Sequence, residues 1–174
     1  GSLPESAPTD VFGYLSGGAD AQTLRAVLDN IRKAKTDARV AAVLLEPRGF
    51  TSPYWGKLQE IRDALIDFRN SGKPVYAFLE YGTDRDYFLA TAADRVFLMP
   101  SATLDLTGVA SYELFLRGTL DMAGVYPDLH HVGEYKTAVN QYIEQGFTPQ
   151  HREVSEVLTR GLFDELVRGV AGGR

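Results

Sequence analysis

The sequence predicts an α/β domain built on a mostly parallel sheet with crossover helices. Three observations predict it. Runs of strand length at 40–45, 75–79 and 96–99 are apolar without alternation, the pattern of strands covered on both faces. Segments beside them carry apolar residues at helical spacing: Leu24, Val27, Leu28 and Ile31 in one, Tyr54, Leu58, Ile61, Leu65 and Phe68 in the next. Strand and helix alternate along the chain, which calls for parallel pairing through right-handed crossovers. At 174 residues one domain over 11–174 can bury roughly 70% of its unfolded surface, so no metal or disulfide is needed to hold it.

Taken in order, Gly1 and Ser2 read as a cloning remnant, and residues 3–10, with two prolines and no periodicity, as a disordered lead-in. Residues 11–15 suit a short edge strand, turned by Ser16, Gly17 and Gly18. The first helix runs from Ala21 to about Lys35. After strand 40–45 comes a loop, Glu46 to Phe50, where open α/β sheets usually place ligands. Ser52 and Pro53 fit the N-cap and first position of the second helix, which Gly72 and Pro74 end. Residues 84–93 suit a short helix, 102–106 an extended piece, 112–123 a helix closed by Gly124, and 126–132 a strand. Thr148 and Pro149 open a long helix whose Val154, Val157, Leu158, Leu162, Leu166 and Val170 make an apolar stripe.

Composition excludes several functions. A net charge of −5 with no basic patch argues against nucleic acid. The absence of cysteine removes thiol chemistry and cysteine-ligated metals. No apolar run approaches a membrane span, so the chain reads as soluble. Gly17 and Gly18 lack the spacing and the lysine of a phosphate loop. No cofactor or metal is expected: His130 and His131 are adjacent, so on a strand they face opposite ways, and a structural role suits them. His151, in the first turn of the last helix, suits a capping or surface role. The pairs Asp84 with Asp86 and Glu153 with Glu156 are accounted for by helix N-terminal charge preference and solvated faces.

The chemistry centres on Gly133, Glu134, Tyr135, Lys136, Thr137, Ala138 and Val139. A lysine where a buried strand gives way to a helix can be partly desolvated and become a general base, although most lysines flanked by polar residues are simply solvated. A serine activated by lysine must stand on a strand-to-helix turn. The turn that could serve, residues 80–86, holds no serine, and Thr83 is more simply a helix cap. Ser52, Ser71, Ser101, Ser111 and Ser155 lie in no comparable elbow.

The lysine motif, together with Ser71 to Ala77 and Tyr87 to Val96, resembles the N-terminal domain of the long-form signal peptide peptidase A (protease IV) family of serine-lysine peptidases, from about residue 20 onward. Thr137 stands where serine is commoner, and Asn140, Gln141 and Tyr142 stand in place of Glu-Pro-Phe. The resemblance implies a ClpP/crotonase-like fold and a divided site. Lys136 is then the general base, and a C-terminal domain brings the serine, whose counterpart here falls near Asp84. It further implies signal-peptide or other hydrophobic peptide substrates, a homo-oligomer (a tetramer when full length), a bacterial inner membrane facing the periplasm, and no hydrolysis by this chain alone. Two other readings of the same fold are a non-catalytic scaffold in an oligomeric assembly and an acyl-CoA enzyme. The latter needs a nucleotide-accommodating surface and acid-base carboxylates, which Arg48, Gly49 and Phe50 do not clearly offer.

Overall fold

The computed structural model describes residues 3–5, 23–48 and 55–173. The expected strand at 11–15, its turn, and the Gly49 to Tyr54 stretch lie outside them. Two compact units are present, Gly1–Thr107 with Arg168–Arg174, and Gly108–Val167.

In the first unit, helix α1 (Leu24–Thr36) starts where Thr23 Oγ1 accepts from the Ala26 amide at 3.1 Å, and buries Leu24 and Leu28. Strand β1 (Val43–Leu45), helix α2 (Trp55–Arg69), strand β2 (Val75–Leu79), strand β3 (Gly82–Thr83), helix α3 (Asp84–Ala90), strand β4 (Arg95–Leu98) and strand β5 (Leu104–Asp105) follow. Strands β1, β2 and β4 form a parallel sheet in that order, with Leu44, Tyr76 and Arg95 in one row. A second parallel pair joins β3 to β5. The mixed α/β architecture with parallel strands is the one the sequence predicts. Leu58, Ile61, Leu65 and Phe68 of α2, Val75, Ala77 and Leu79 of β2, and Phe88 and Leu89 of α3 make the core. At residues 3–5, the Pro4 carbonyl accepts from the Leu24 amide at 2.8 Å and the Leu3 carbonyl from Lys57 at 3.0 Å.

One expectation about the sheet is corrected. Strands buried on both faces were inferred from apolar runs, but β2 alternates buried and open residues, and Leu44, Tyr76 and Phe97 are exposed on their strands. A run of apolar residues cannot say which face another element covers. The same limit explains why strand 40–45 shortens to three residues.

Two charged residues fasten this unit. Lys73, just past the turn set by Gly72 at φ +85°, donates to the carbonyls of Ala34 at 2.9 Å and Asp37 at 2.7 Å. It thus places an ammonium on the C-terminal end of α1, where the helix dipole favours a cation. Lys73→Met is expected to lower stability by about 1 kcal/mol, read as a lower urea midpoint with an unchanged m-value. Arg62, buried on α2 beside Ile61, donates to the carbonyl of Phe88 at 2.7 Å, to Thr91 Oγ1 at 2.9 Å, and to the carbonyl of Gly169.

The second unit holds helix α4 (Arg117–Met122), a 3-10 turn (Thr137–Val139), helix α5 (Asn140–Ile143) and most of helix α6 (Pro149–Gly172), whose last residues belong to the first unit. Thr148 caps α6 as expected, accepting from the His151 amide at 3.2 Å. Two expectations are corrected. Residues 112–116 are not helical, because α4 begins only at Arg117. Residues 126–132 are not a strand: Tyr126 and Val132 are 82% and 90% exposed, Pro127 has no N–H to offer a ladder, and no segment among the described residues pairs with them. The α6 stripe is largely open over this unit, with Leu166 buried but Val157, Leu158 and Leu162 exposed.

Candidate functional site

Lys136 stands on a turn whose shape the sequence dictates. Gly133 adopts φ +89°, a left-handed conformation that side chains other than glycine resist. The Lys136 amide then closes the turn on the Gly133 carbonyl at 3.2 Å. Two contacts tie this turn to the first turns of α6: Tyr135 donates its hydroxyl to Glu153 at 2.8 Å, and Gln150 donates to Glu134 at 2.9 Å. Beyond it, buried Asn140 donates to Thr148 Oγ1 at 3.4 Å. The backbone around the lysine is therefore held on both sides while its side chain is exposed. Its amine forms no hydrogen bond or ion pair among the described residues. The expected entry from a buried strand is absent, and the lysine stays exposed.

The largest electrostatic effect on Tyr135 comes from Glu153. Its carboxylate accepts the Tyr135 proton and holds the phenol above its ordinary pKa, with Glu134 adding a smaller push in the same direction. The raised value means that this contact contributes fully below the ordinary phenol range and is lost as pH rises through the folded-state value. Glu153→Gln is expected to bring phenolate absorbance in at lower pH, with Tyr135→Phe identifying which of the nine tyrosines moved. The outcome tests whether the clamp beside Lys136 exists in solution.

The turn at 80–86 carries carboxylates in place of a nucleophile. Asp84 Oδ2 accepts from the Thr107 amide at 3.2 Å and the Thr107 hydroxyl at 3.3 Å. Fully buried Asp86 accepts from the Thr83 amide at 3.1 Å and from its hydroxyl at 2.8 Å. Thr83 is thus a helix cap, as its sequence position suggests. Ser71 donates to the Phe68 carbonyl at 2.6 Å, closing the end of α2. Arg48, considered for a ligand loop, is paired with Glu46 at 2.8 Å and Glu80 at 3.5 Å.

The histidines divide differently from expectation. His130 and His131 are exposed; the first lies 3.1 Å from Asp128, and Nδ1 of the second lies 2.9 Å from the Gly133 carbonyl. His151, expected at a cap or surface, is only 7% exposed and packs against the rings of Phe115 and Phe147, at 5.8 and 5.0 Å, which also touch each other at 5.2 Å. Its Nε2 is 3.9 Å from Glu113, and its buried Nδ1 has no hydrogen-bond partner. The missed signal is Phe147 immediately before the helix cap, which supplies an aromatic lid for the first turn. His151 lines a groove of about 530 Å³, lying wholly within this unit, that also takes in Thr137 and Ala138, the two residues after Lys136. Among the described residues no group of three or more histidine, aspartate or glutamate side chains could hold a metal ion.

The chain is 31% identical over 164 residues to Protease 4 of Salmonella typhi, covering 94% of this chain and 26% of that protein. It is 29% identical over 143 residues to the chloroplastic serine protease SPPA of Arabidopsis thaliana, covering 82% and 21%. It is 28% identical over 144 residues to Protease 4 of Haemophilus influenzae, covering 83% and 23%. The chain thus spans about a quarter of the length of these relatives. Its α/β architecture with parallel sheets is of the ClpP/crotonase-like class. Residues 67–174, which include α3, the carboxylate turn and the whole lysine segment, match the family model described as peptidase family S49, and the chain belongs to that family.

Proposed function

We propose that this chain is the lysine-bearing half of a serine-lysine peptidase. Lys136 takes the proton from a serine Oγ carried by a C-terminal domain of the same protein as that oxygen attacks the scissile carbonyl. It then returns the proton to the departing amine. The observation that carries the reading is the presentation of Lys136: a fixed backbone, an exposed amine with no partner among the described residues, and no serine on the 80–86 turn. Burial disfavours the charged form of an ammonium, so a domain closing over the turn supplies the desolvation that this chain lacks. The substrates are signal-peptide remnants or other hydrophobic peptides, and the full-length assembly is a homo-oligomer, a tetramer. It works at a bacterial inner membrane, facing the periplasm. Among the described residues no helix is long and apolar enough to cross a membrane.

The test is reconstitution. This chain alone is expected to leave an apolar fluorogenic peptide intact, whereas the protein with its serine-bearing domain cleaves it. Cleavage by the isolated chain, lost in Lys136→Ala, would contradict the division of the site. A second reading, a non-catalytic scaffold in an oligomer, draws on the engagement of Asp84 with Thr107 at the turn where a nucleophile would stand. Equal activity of wild type and Lys136→Met in the complete protein would favour it.

A further inference from the structure

Lys136 has unequal support on its two sides. On the C-terminal side the chain passes at once into the 3-10 turn Thr137–Val139 and then into α5, whose first residue, Asn140, is buried. On the N-terminal side there is no helix or strand, only the turn that starts at Gly133. The Lys136 backbone, at φ −85° and ψ 70°, is neither helical nor extended. The direction in which its side chain leaves the backbone therefore depends on what holds Glu134 and Tyr135. Two side-chain bonds to α6 do so, and they constrain the chain differently. Gln150 and Glu134 meet at the tips of two long, unbranched side chains, so many backbone positions satisfy their bond. Tyr135 meets Glu153 at 2.8 Å with a rigid ring that turns about only two torsions, which fixes the residue bordering the lysine far more narrowly. This bond sets a hydroxyl on a carboxylate, the stronger, charge-assisted kind, and the raised pKa of the phenol arises first from it. Glu153 itself stands in the second turn of a 24-residue helix whose start is capped by Thr148.

We infer that Glu153, acting through the Tyr135 hydroxyl, is a positioning residue for Lys136: it fixes the backbone from which the amine reaches the serine and touches no reacting atom. The inference rests on the role proposed above for Lys136. Lys136 forms no ion pair with Glu153, so the influence passes through the tyrosine and is one of geometry. A neutral acceptor of similar length should then serve nearly as well as the carboxylate. Without the tie, Lys136 spends more of its time pointing away from the serine, and the cost falls on the chemical step, not on substrate binding.

Steady-state kinetics of the complete protein, with its serine-bearing domain, on an apolar fluorogenic peptide across pH test the inference. Glu153→Ala is expected to lower kcat about tenfold, the change a hydrogen bond to a charged group supports, with KM little altered. Glu153 is exposed and alanine favours helix, so α6 is kept and the melting temperature holds. Tyr135→Phe is expected to match that loss, and the double variant to fall no further than either single one, since both remove the same bond. Glu153→Gln, whose amide oxygen still accepts from the phenol, is expected to stay within about threefold of wild type, with the acid limb of the kcat profile unmoved. Several results overturn the proposal: wild-type kcat in Glu153→Ala, additive losses in the double variant, or a raised KM with kcat intact. Glu153→Gln as slow as Glu153→Ala, with the acid limb displaced, also overturns it, because the carboxylate then acts by its charge. Wild-type activity of Lys136→Met sinks the lysine's role and this inference with it. An inactive Lys136→Met beside a fully active Glu153→Ala sinks the positioning role alone.

Discussion

Lys136→Met in the complete protein is expected to lower kcat by about 10²- to 10⁴-fold with little change in KM, the range a positioned proton acceptor supplies. Methionine keeps much of the length and apolar stem of lysine but cannot accept a proton. Lys136→Arg is the sharper companion, because it keeps the positive charge on a group that does not deprotonate in proteins. If both variants fall together, the lysine acts as a base. If arginine retains activity, its charge alone matters. The clamp of Tyr135 on Glu153 and of Gln150 on Glu134 holds the backbone of the turn, so neither variant needs to disturb the fold. Unchanged melting temperatures would verify that.

Arg62→Met is expected to cost the protein about 3 kcal/mol, measured as a fall in unfolding free energy in urea. The Phe88 carbonyl would keep Thr91 Oγ1 as a donor at 2.9 Å. The Gly169 carbonyl fares worse. It lies in the last turn of α6, where carbonyls lack amides further along the helix, and the Gly173 amide turns to Val170 instead at 3.2 Å. Removing the guanidinium leaves that carbonyl without this donor and withdraws a cation from the helix C-terminus. It also vacates the face of the Phe88 ring, whose centroid is 4.9 Å from the guanidinium carbon. Arg62→Lys should recover only part of the loss, since a point charge cannot reach three oxygens that a planar fork spans.

What the sequence made legible was local. The apolar run gives the bounds of β2, periodicity marks α1, periodicity with the Thr148 and Pro149 start marks α6, and the row Leu58, Ile61, Leu65 and Phe68 marks α2. Each of these depends on residues within a few positions of one another. The misses are pairwise or long-range. The segment 126–132 looks like a strand in composition, but a strand exists only through a neighbour. The stretch 112–116 is apolar enough for a helix yet forms no regular element, and α4 begins only at Arg117. Arg62 is one cation on an amphipathic helix until Gly169, far along the chain, comes to meet it. His151 reads from its position as a cap or surface group, and its burial depends in part on Phe115, which lies on another segment. Lys136 was singled out by a short motif, and periodicity alone gives no reason to prefer it to Lys57 or Lys73.

The pairing of Asp84 with Thr107 carries one more consequence. A hydroxyl at position 84 would be a bond shorter than the carboxylate and could not grip both the amide and the side chain of Thr107. A serine placed at 84 would therefore give up one of the two ties that hold the exit from β5 to the start of α3.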